Sequence, residues 1–477
     1  MTDDLLYAPI SELAELLKSR QVSSLELTKA YLARLEKLGP RYNAVASLTA
    51  KLAEKQAKEA DDLFKRDRVR TPLQGIPYGA KDLLATAGIP TTWGAAPYRS
   101  QVFDYDSTVV QKLEKAGAVL VAKLAMIELA GGGGYRYPSA SLFGPCKNPW
   151  SPAHWAGGSS SGSGAAVSAA MAPFAIGSET WGSILTPASY CGVTGLRPTY
   201  GLVSRYGAMA LSWTMDKIGP LCRSAEDCGL VLKVIAGKDS LDPASSGKSF
   251  YYPIEYGRPL TELRIGYHPI DFEDRAAESS RPAFRAALEV FRKLGPRLVE
   301  MALPSMPYRE VAGTIIQAEG STIFEPLIRS ARFDEMPDER QKAGLRAGLE
   351  MPAKDYLHAM RVRRLIQDVL RKDVFTRVDL ILSPATASAA SGIGEALDSR
   401  PTPGEKLEQR GNTDLGAAGN LAGLPAISLP CGFSTTELPV ALQLVGRPFD
   451  ELTLITIGRE FQKQTGWHRR RPPVQAA

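Results

Sequence analysis

Apolar residues recur at helical spacing near the start of the chain. Between Ile10 and Leu38 they fall three or four positions apart, with one break near Gln21, and this pattern predicts two amphipathic helices. Beyond Pro72 the pattern changes to short apolar runs between glycines and prolines, such as residues 118–123. That run follows a helical stretch and a glycine, and the order helix, glycine, strand indicates an α/β layer.

The last third of the chain repeats this alternation. Four short apolar runs predict strands at residues 263–266, 378–382, 426–429 and 440–445. Helical stretches lie between and around them, at residues 283–293 and 354–372. Because helices that separate strands cover both faces of the resulting sheet, the sequence predicts one α/β/α unit around a mixed β-sheet.

Composition and charge fit a large folded domain. The chain has 477 residues, of which 44% are hydrophobic and 23% charged, which is ordinary for globular proteins. No small-polar or like-charged stretch is long enough for a linker, so we expect one large domain or two intimately joined parts. The net charge of +6 is small for this length, and the tight basic run at residues 469–471 is interpreted as a solvated tail and not as a nucleic-acid patch.

The cysteines and the first residues bear on the compartment. The five cysteines are dispersed and contain no C-x-x-C pair, so neither a disulfide framework nor a zinc knuckle is indicated. The opening residues are acidic where a signal peptide would be basic, and no apolar run approaches the roughly 20 residues of a membrane span. We therefore expect a cytoplasmic protein without a membrane segment.

A stretch rich in serine and glycine, residues 156–195, carries the candidate chemistry. Its G-x-S-x-G match, from Gly158 to Gly162, would make Ser160 a nucleophile-elbow serine. That motif needs an apolar strand directly before it, whereas the preceding PCKNPWSPAHWAGG is polar and rich in proline. The four histidines have no site-like neighbours in the sequence, and no Gly-Lys-Ser/Thr follows the glycines as a phosphate-binding loop requires.

A serine hydrolase that uses a lysine as its base fits these residues better. A lysine accepts a proton near neutrality only when its pKa falls from about 10.4, and an apolar pocket causes this by disfavouring the charged form. Lys81 lies in such a setting, in GIPYGAKDLL. Taken alone, a lysine in an apolar stretch more often extends its ammonium group to solvent, so the assignment depends on neighbouring motifs.

Several motifs occur together in an order that resembles the amidase signature family. They are GIPYGAKD, KNPW, GGSSSGSGAAV and GSETWGSILTPASYCGVTGLRPTYG, followed by GNLAGLPAISLPCGF and PVALQLVGRPFDE. The resemblance implies a Ser-cisSer-Lys catalytic set formed by Lys81, Ser159 and Ser183. In that mechanism the neutral lysine takes a proton from Ser159, Ser159 takes one from Ser183, and Ser183 attacks an amide carbonyl to form an acyl-enzyme.

The resemblance also implies an oxyanion hole and a division of the chain. The implied oxyanion hole consists of the backbone N–H groups of Thr180, Trp181, Gly182 and Ser183. The implied parts of a single domain over residues 1–477 are N-terminal helices at 1–60, a catalytic core at 72–235, a variable helical region at 238–373 and the C-terminal part of the sheet at 374–470. Neither a metal nor a cofactor is expected.

Three residues depart from the common family pattern G-S-D-T-G-G-S-I-R. The chain reads GSETWGSIL, so Glu179, Trp181 and Leu185 replace Asp, Gly and Arg. Because leucine replaces arginine at position 185, the chain is expected to lack the positive member of a possible charged pair. Two placements remain open for the Trp181 ring: it forms part of the wall of the acyl pocket, or it packs into the core with Leu185.

The stretch LAMIELAGGGGY, residues 124–135, aligns with the family segment that passes over the catalytic serines. Its four glycines fit either a backbone that another segment approaches closely or a mobile loop, and we expect an open or mobile rim of the pocket. Met126, Gly132 and Gly133, together with Trp181, are the candidate substrate-binding residues.

These observations favour hydrolysis of a carboxylic amide, with esters and carbamates as further candidate substrates. The expected partner is a small-molecule amide, without nucleic acid or membrane, and a homodimer is the assembly considered. The alternative is the A subunit of a tRNA-dependent amidotransferase, which releases ammonia from glutamine for use by another subunit. Another alternative is a catalytically inactive scaffold, but it has no chemical need for Lys81, Ser159 and Ser183 together.

Overall fold

The computed structural model describes residues 2–253, 259–398 and 411–473. The strands within them are β1 (Val45–Leu48), β2 (Pro77–Lys81), β3 (Val119–Leu124), β4 (Lys147–Asn148), β5 (Ser151–Trp155), β6 (Phe174–Glu179), β7 (Thr194–Arg197), β8 (Lys217–Cys222), β9 (Arg264–Tyr267), β10 (Arg297–Glu300), β11 (Leu380–Pro384), β12 (Ala426–Phe433) and β13 (Pro439–Gly446).

The helices within the same residues are α1 (Asp3–Leu6), α2 (Ile10–Lys18), α3 (Ser24–Tyr42), α4 (Ala50–Lys65), α5 (Thr108–Lys115), α6 (Ser161–Ser168), α7 (Leu185–Cys191), α8 (Ala225–Ile235), α9 (Arg281–Leu294), α10 (Tyr308–Ile323), α11 (Glu325–Ile328), α12 (Glu339–Leu349), α13 (Ala353–Val369), α14 (Leu415–Leu421) and α15 (Glu451–Thr465). Short 3-10 turns join several of them.

Eleven of these strands form one mixed sheet, in the order β1-β3-β2-β6-β8-β7-β12-β13-β11-β9-β10. β2 lies between β3 and β6 and runs parallel to both. The neighbours from β6 to β11 are antiparallel, whereas β9 and β10 extend the far edge in parallel. β4 and β5 pair separately from this sheet.

Two apolar cores cover the two faces of the sheet. Successive strand residues point to opposite faces, and accordingly Leu120 and Phe174 belong to one core, whereas Val119, Val121 and Ala175 belong to the other. Helices α5, α8, α9 and α15 pack in the first core, and α6, α7, α13 and α14 in the second. The predicted α/β/α architecture around a mixed sheet is therefore confirmed.

The predicted elements can be located in this architecture. The two amphipathic helices are α2 and α3, and the break between them ends at Ser23, whose side chain forms a capping box with Glu26. The region 238–373, expected to be helical, holds α9 to α13 but also β9 and β10 at the sheet edge. Among the residues that the structure describes, no helix combines the length and apolar character needed to cross a membrane.

Candidate active site

The parallel strands β2 and β6 bring two polar side chains together at one edge of the sheet. Lys81 is the last residue of β2, and Ser178 lies one residue before the end of β6. Because the carboxyl ends of parallel neighbours meet at the same edge, the Lys81 Nζ lies 2.9 Å from the Ser178 Oγ and 3.4 Å from its backbone oxygen. The Lys81 side chain is fully buried.

Ser159 completes a direct contact with this lysine. It precedes α6 in the glycine-rich turn, and the peptide bond from Gly158 to Ser159 is cis. The Lys81 Nζ donates a hydrogen bond to the Ser159 Oγ at 2.7 Å, and the Ile127 backbone N–H donates to the Ser159 carbonyl at 3.2 Å. Gly157 has φ +83°, and a Cβ there would lie 2.8 Å from the Pro187 Cα, so this turn requires glycine.

Burial sets the protonation of Lys81. Removal from water disfavours the ammonium form and lowers its pKa to about 7, while the carboxylates of Asp216 and Glu179 act in the opposite direction with smaller effect. A substantial fraction of the lysine is therefore neutral near neutral pH. A neutral amine 2.7 Å from the Ser159 hydroxyl can accept its proton.

Ser183 lies beside this pair, in the loop that follows β6. The Ser160 backbone N–H donates to the Ser183 carbonyl at 3.2 Å, so the residue after Ser159 is tied directly to Ser183. Only 9% of Ser183 is exposed. The three residues that the resemblance implies are thus brought to one place, Lys81 and Ser159 through their side chains and Ser183 through its backbone.

The loop of residues 180–183, here called the oxyanion loop, is anchored at its start. The Thr180 Oγ1 donates to the Asp216 carboxylate at 2.5 Å, and the Lys217 Nζ donates to the Thr180 carbonyl at 3.3 Å. Gly182 has φ +84°, whereas Trp181 does not have a positive φ. The loop is named for the role that the resemblance implies for its backbone N–H groups, which is to donate hydrogen bonds to an oxyanion.

Glu179 anchors the other end of the oxyanion loop. Its Oε2 accepts the backbone N–H groups of Ile184 at 2.9 Å and Leu185 at 3.0 Å, at the start of α7. Its Oε1 accepts from the Arg197 guanidinium at 2.7 Å and from the Asn420 amide at 3.0 Å. One buried carboxylate therefore joins the loop, β7 and α14.

Two basic side chains, Arg197 and Lys217, act on the pKa of Glu179. Burial raises the pKa of this carboxyl, but the attraction of Arg197 and Lys217 outweighs it and lowers the pKa to about 2. The expectation that the positive member of a charged pair is lost at Leu185 is thus corrected, since Arg197 of β7 forms a fully buried ion pair with Glu179. Leu185 itself is buried.

Trp181 lies at a cavity wall. It is 36% exposed and borders a cavity of about 340 Å³ together with Gly182, Leu185 and residues of the 383–387 and 412–417 segments. Its indole reaches α14, where a Cβ on Gly416 would lie 3.5 Å from the Trp181 Nε1. The structure thus places the ring at the cavity and not in the core with Leu185.

A second cavity also borders the oxyanion loop, at Thr180. It measures about 210 Å³, and Ser178 of β6 lines it as well. Apolar side chains such as Leu83, Met209 and Leu211 make up much of its remaining wall. Ser178, which borders this cavity, accepts a hydrogen bond from the Lys81 Nζ at 2.9 Å, so the cavity leads towards Lys81.

Two glycines of the run at residues 131–134, Gly132 and Gly133, are closely packed. A Cβ on Gly133 would lie 2.3 Å from the Gln341 carbonyl oxygen of α12, and a Cβ on Gly132 would lie 2.9 Å from Leu211. Met126 is fully buried, and its carbonyl accepts from the Ser141 hydroxyl at 2.8 Å. A Cβ on Gly134, by contrast, would meet no atom within 4 Å. Of residues 124–135, Ala130 borders the second cavity, whereas Met126, Gly132 and Gly133 line neither of the two cavities.

Several residues at the site were missed in the sequence. They are Ser178, Asp216, Lys217, Arg197 and Asn420. The last four lie inside motifs of otherwise apolar character, TMDKIGP, GLRPTYG and GNLAGLP, where a charged or amide side chain is a signal of a buried polar partner. In the described part of the chain, no group of three His, Cys, Asp or Glu side chains is arranged to hold a metal ion.

Comparison with known proteins identifies the family. The family model described as Amidase matches residues 26–455. The chain belongs to the amidase family. Two solved amidase-family structures share its fold: the A subunit of the Glutamyl-tRNA(Gln) amidotransferase from Thermotoga maritima, with 30% identity, TM-score 0.81 and full coverage of both chains (100% of each), and the peptide amidase of Stenotrophomonas maltophilia, with 30% identity, TM-score 0.82 and 98% of each chain covered.

A curated relative corrects one expectation. The A subunit of the Glutamyl-tRNA(Gln) amidotransferase of Legionella pneumophila (strain Paris) is 35% identical over 492 residues, covering 98% of this chain and 99% of the relative. That name describes one subunit of an assembly and a tRNA-linked substrate. The expectation of a small-molecule amide alone, without nucleic acid and with a homodimer as the assembly, is therefore overturned.

Proposed function

We propose that the chain hydrolyses a carboxamide through an acyl-enzyme on Ser183, with Lys81 as the base and Ser159 as the proton relay. The observation that carries this proposal is the fully buried Lys81 Nζ, 2.7 Å from the Ser159 Oγ and with its pKa lowered to about 7. Membership of the amidase family supports cleavage of a carbon–nitrogen bond.

The proposed reaction has two halves. In the first, Lys81 takes the Ser159 proton, Ser159 takes the Ser183 proton, and the Ser183 Oγ bonds to the amide carbon. The carbon–nitrogen bond then breaks, and the amine leaves with the proton that returns through Ser159. In the second half, water attacks the ester and gives its proton to the same relay, which frees the acid and restores Ser183.

The oxyanion loop stabilises the charge that develops on the carbonyl oxygen in this proposal. Its N–H donors act only if the loop is held in place before the reaction. Glu179 fixes one end through Ile184 and Leu185, and Asp216 fixes the other through Thr180. Removal of one such donor in other enzymes costs on the order of 3 kcal/mol of barrier.

The relatives favour a particular role for this chemistry. Because curated relatives that cover almost the whole chain are named as the A subunit of a glutamyl-tRNA amidotransferase, we propose that the chain releases ammonia from glutamine within an assembly that includes other subunits and tRNA. A second candidate is hydrolysis of a different amide, supported by the wall residue Trp181 and by the apolar second cavity that leads to Ser178.

Ammonia and amine release separates the two candidates. The wild-type chain is tested against glutamine and against aliphatic, aryl and peptide amides, with Ser183→Ala as the blank. Glutamine turnover supports the subunit role, whereas turnover of other amides without glutamine supports the second candidate.

A second experiment tests the nucleophile independently of any other subunit: acylation by p-nitrophenyl acetate, followed by mass spectrometry of the peptide containing Ser183. The proposed mechanism is contradicted if a folded wild-type chain neither releases amine nor acquires the acetyl group on Ser183.

A further inference from the structure

A buried carboxylate outside the catalytic set gathers four hydrogen bonds near the oxyanion loop. Glu319 belongs to α10 and is 1% exposed. Its Oε2 accepts from the Ser212 hydroxyl at 2.5 Å and from the Thr214 backbone N–H at 3.2 Å. Its Oε1 accepts from the Thr214 hydroxyl and from the Tyr356 hydroxyl of α13, both at 2.8 Å. The carboxylate thus ties the segment before β8 to two helices.

The same segment holds the carboxylate that anchors the oxyanion loop. Asp216 Oδ2 accepts the backbone N–H groups of Leu211 at 2.8 Å and Ser212 at 2.9 Å, while its Oδ1 accepts from the Thr180 hydroxyl. Ser212 is therefore shared: its backbone N–H bonds to Asp216 and its hydroxyl bonds to Glu319. The path from Glu319 to the oxyanion loop is continuous and consists of buried hydrogen bonds.

We propose that Glu319 is a positioning residue for the oxyanion loop, acting through Ser212 and Asp216. This inference rests on the proposed function, because it assigns a role in the same reaction. Glu319 does not border either of the two cavities beside the oxyanion loop, so the proposal assigns it no direct contact with a substrate in them. Its loss lets the 211–216 segment shift, and the Thr180 anchor shifts with it.

The surroundings explain why a carboxylate is needed at this position. Four donors converge on two oxygens that hold no proton of their own when ionised. A glutamine amide in place of the carboxylate would turn its NH₂ group towards two of these donors. Those buried donors would then have no acceptor at this position. On the opposite side of the segment, Arg363 donates to the Thr214 carbonyl at 2.8 Å, so Thr214 is held from two directions and Glu319 is one of the two restraints.

The test compares Glu319→Gln with a matched buried carboxylate elsewhere. Glu451 of α15 is also 1% exposed and accepts a backbone N–H, that of Thr199 at 2.7 Å, so Glu451→Gln controls for loss of a buried acceptor. With the amide that the wild-type chain turns over fastest, Glu319→Gln is expected to lower kcat about tenfold with little change in KM, because a misplaced oxyanion donor is felt mainly in the transition state. Glu451→Gln is expected to leave kcat within about twofold of wild type, because weakening the buried contact with Thr199 does not move the backbone N–H donors of the oxyanion loop.

A double-mutant cycle with Thr180→Val shows whether the effect passes through the oxyanion loop. Because Thr180→Val already removes the bond to Asp216, adding Glu319→Gln to it is expected to lower kcat by less than about twofold further. Tyr356→Phe, which removes one donor from Glu319, provides a milder variant with an expected loss of about threefold in kcat, and it replaces Glu319→Gln if that protein does not fold.

The outcomes separate this inference from the proposed function. If the wild-type chain is active and both Glu319→Gln and Tyr356→Phe keep its kcat, the positioning role is wrong. Losses that multiply in the double mutant also overturn it, since they place Glu319 outside the Thr180 path. A wild-type chain without any activity or acylation of Ser183 contradicts the proposed function itself.

Discussion

At the scale of single residues, the proposed role of Lys81 as the base predicts how activity depends on pH. Its folded-state pKa is lowered to about 7, chiefly by burial, and only the neutral amine can accept the Ser159 proton. We therefore expect kcat/KM to rise as pH increases towards about 7 and to level off above it. Lys81→Met is expected to lose this rise of kcat/KM near pH 7 and to retain only a small activity that increases with hydroxide concentration. A wild-type profile without a step near neutrality would contradict the role of Lys81 as the base.

The Glu179 carboxylate gives a second prediction at this scale. Removing its charge in Glu179→Gln leaves the fully buried Arg197 guanidinium without its ion-pair partner, which typically costs about 3–5 kcal/mol of unfolding free energy. The loop at Ile184 and Leu185 also loses its anchor, so kcat falls together with stability. Urea unfolding measures the first effect and steady-state kinetics the second.

Glu325→Gln is the control for Glu179→Gln. The Glu325–Arg329 pair is largely exposed, so its loss is expected to change stability by no more than about 1 kcal/mol. The contribution of Glu179 to the free energy of unfolding also depends on pH. Because the folded-state pKa of this carboxyl is lowered to about 2, the contribution is present above the ordinary carboxyl pKa of about 4.3. It is lost as pH falls towards 2. Equal effects of the two substitutions would argue against the anchoring role of Glu179.

At the scale of elements, the contact between α12 and the glycine run is sensitive to a single methyl group. Gly344 lies inside α12, and a Cβ there would lie 1.9 Å from the Gly133 carbonyl oxygen. Alanine in a helix is ordinarily favoured over glycine by about 1 kcal/mol, but this backbone clash reverses the sign. We expect Gly344→Ala to destabilise the protein by about 2 kcal/mol, the usual cost of overpacking.

Gly313 of α10 provides the matched comparison. It also lies inside a helix, and a Cβ there would meet no atom within 4 Å. Gly313→Ala is therefore expected to stabilise the protein by about 0.5–1 kcal/mol. Thermal and urea unfolding of the two variants measure this difference in sign, and stabilisation by Gly344→Ala would show that the two segments separate readily.

At the scale of the whole molecule, the sequence predicts the architecture and the proximity of Lys81, Ser159 and Ser183 better than it predicts the supports of the site. Strand and helix periodicity locates the layers, and short motifs locate the candidate catalytic residues because each motif is local. Glu319 has no such motif, and its bonds to Thr214 and Ser212 join positions more than 100 residues apart. The packing of Gly133 against α12 likewise depends on a helix that a glycine pattern does not reveal.

The order of the strands predicts how protection against hydrogen exchange varies across the molecule. β6 and β8 lie inside the sheet with bonded neighbours on both sides, whereas β10 is an edge strand that, among the strands of the described residues, pairs with β9 alone and exposes Arg297 and Glu300. Opening an edge strand breaks one ladder and exposes little apolar surface, while opening β6 disrupts both cores. We expect the bonded amides of β6 and β8 to exchange only through global unfolding and those of β10 through local opening at a much smaller free energy. Native-state hydrogen exchange measured by mass spectrometry tests this prediction, with the neighbouring interior strand β9 as the control. Equal protection of β10 and β6 would mean that the edge strand does not open independently of the sheet.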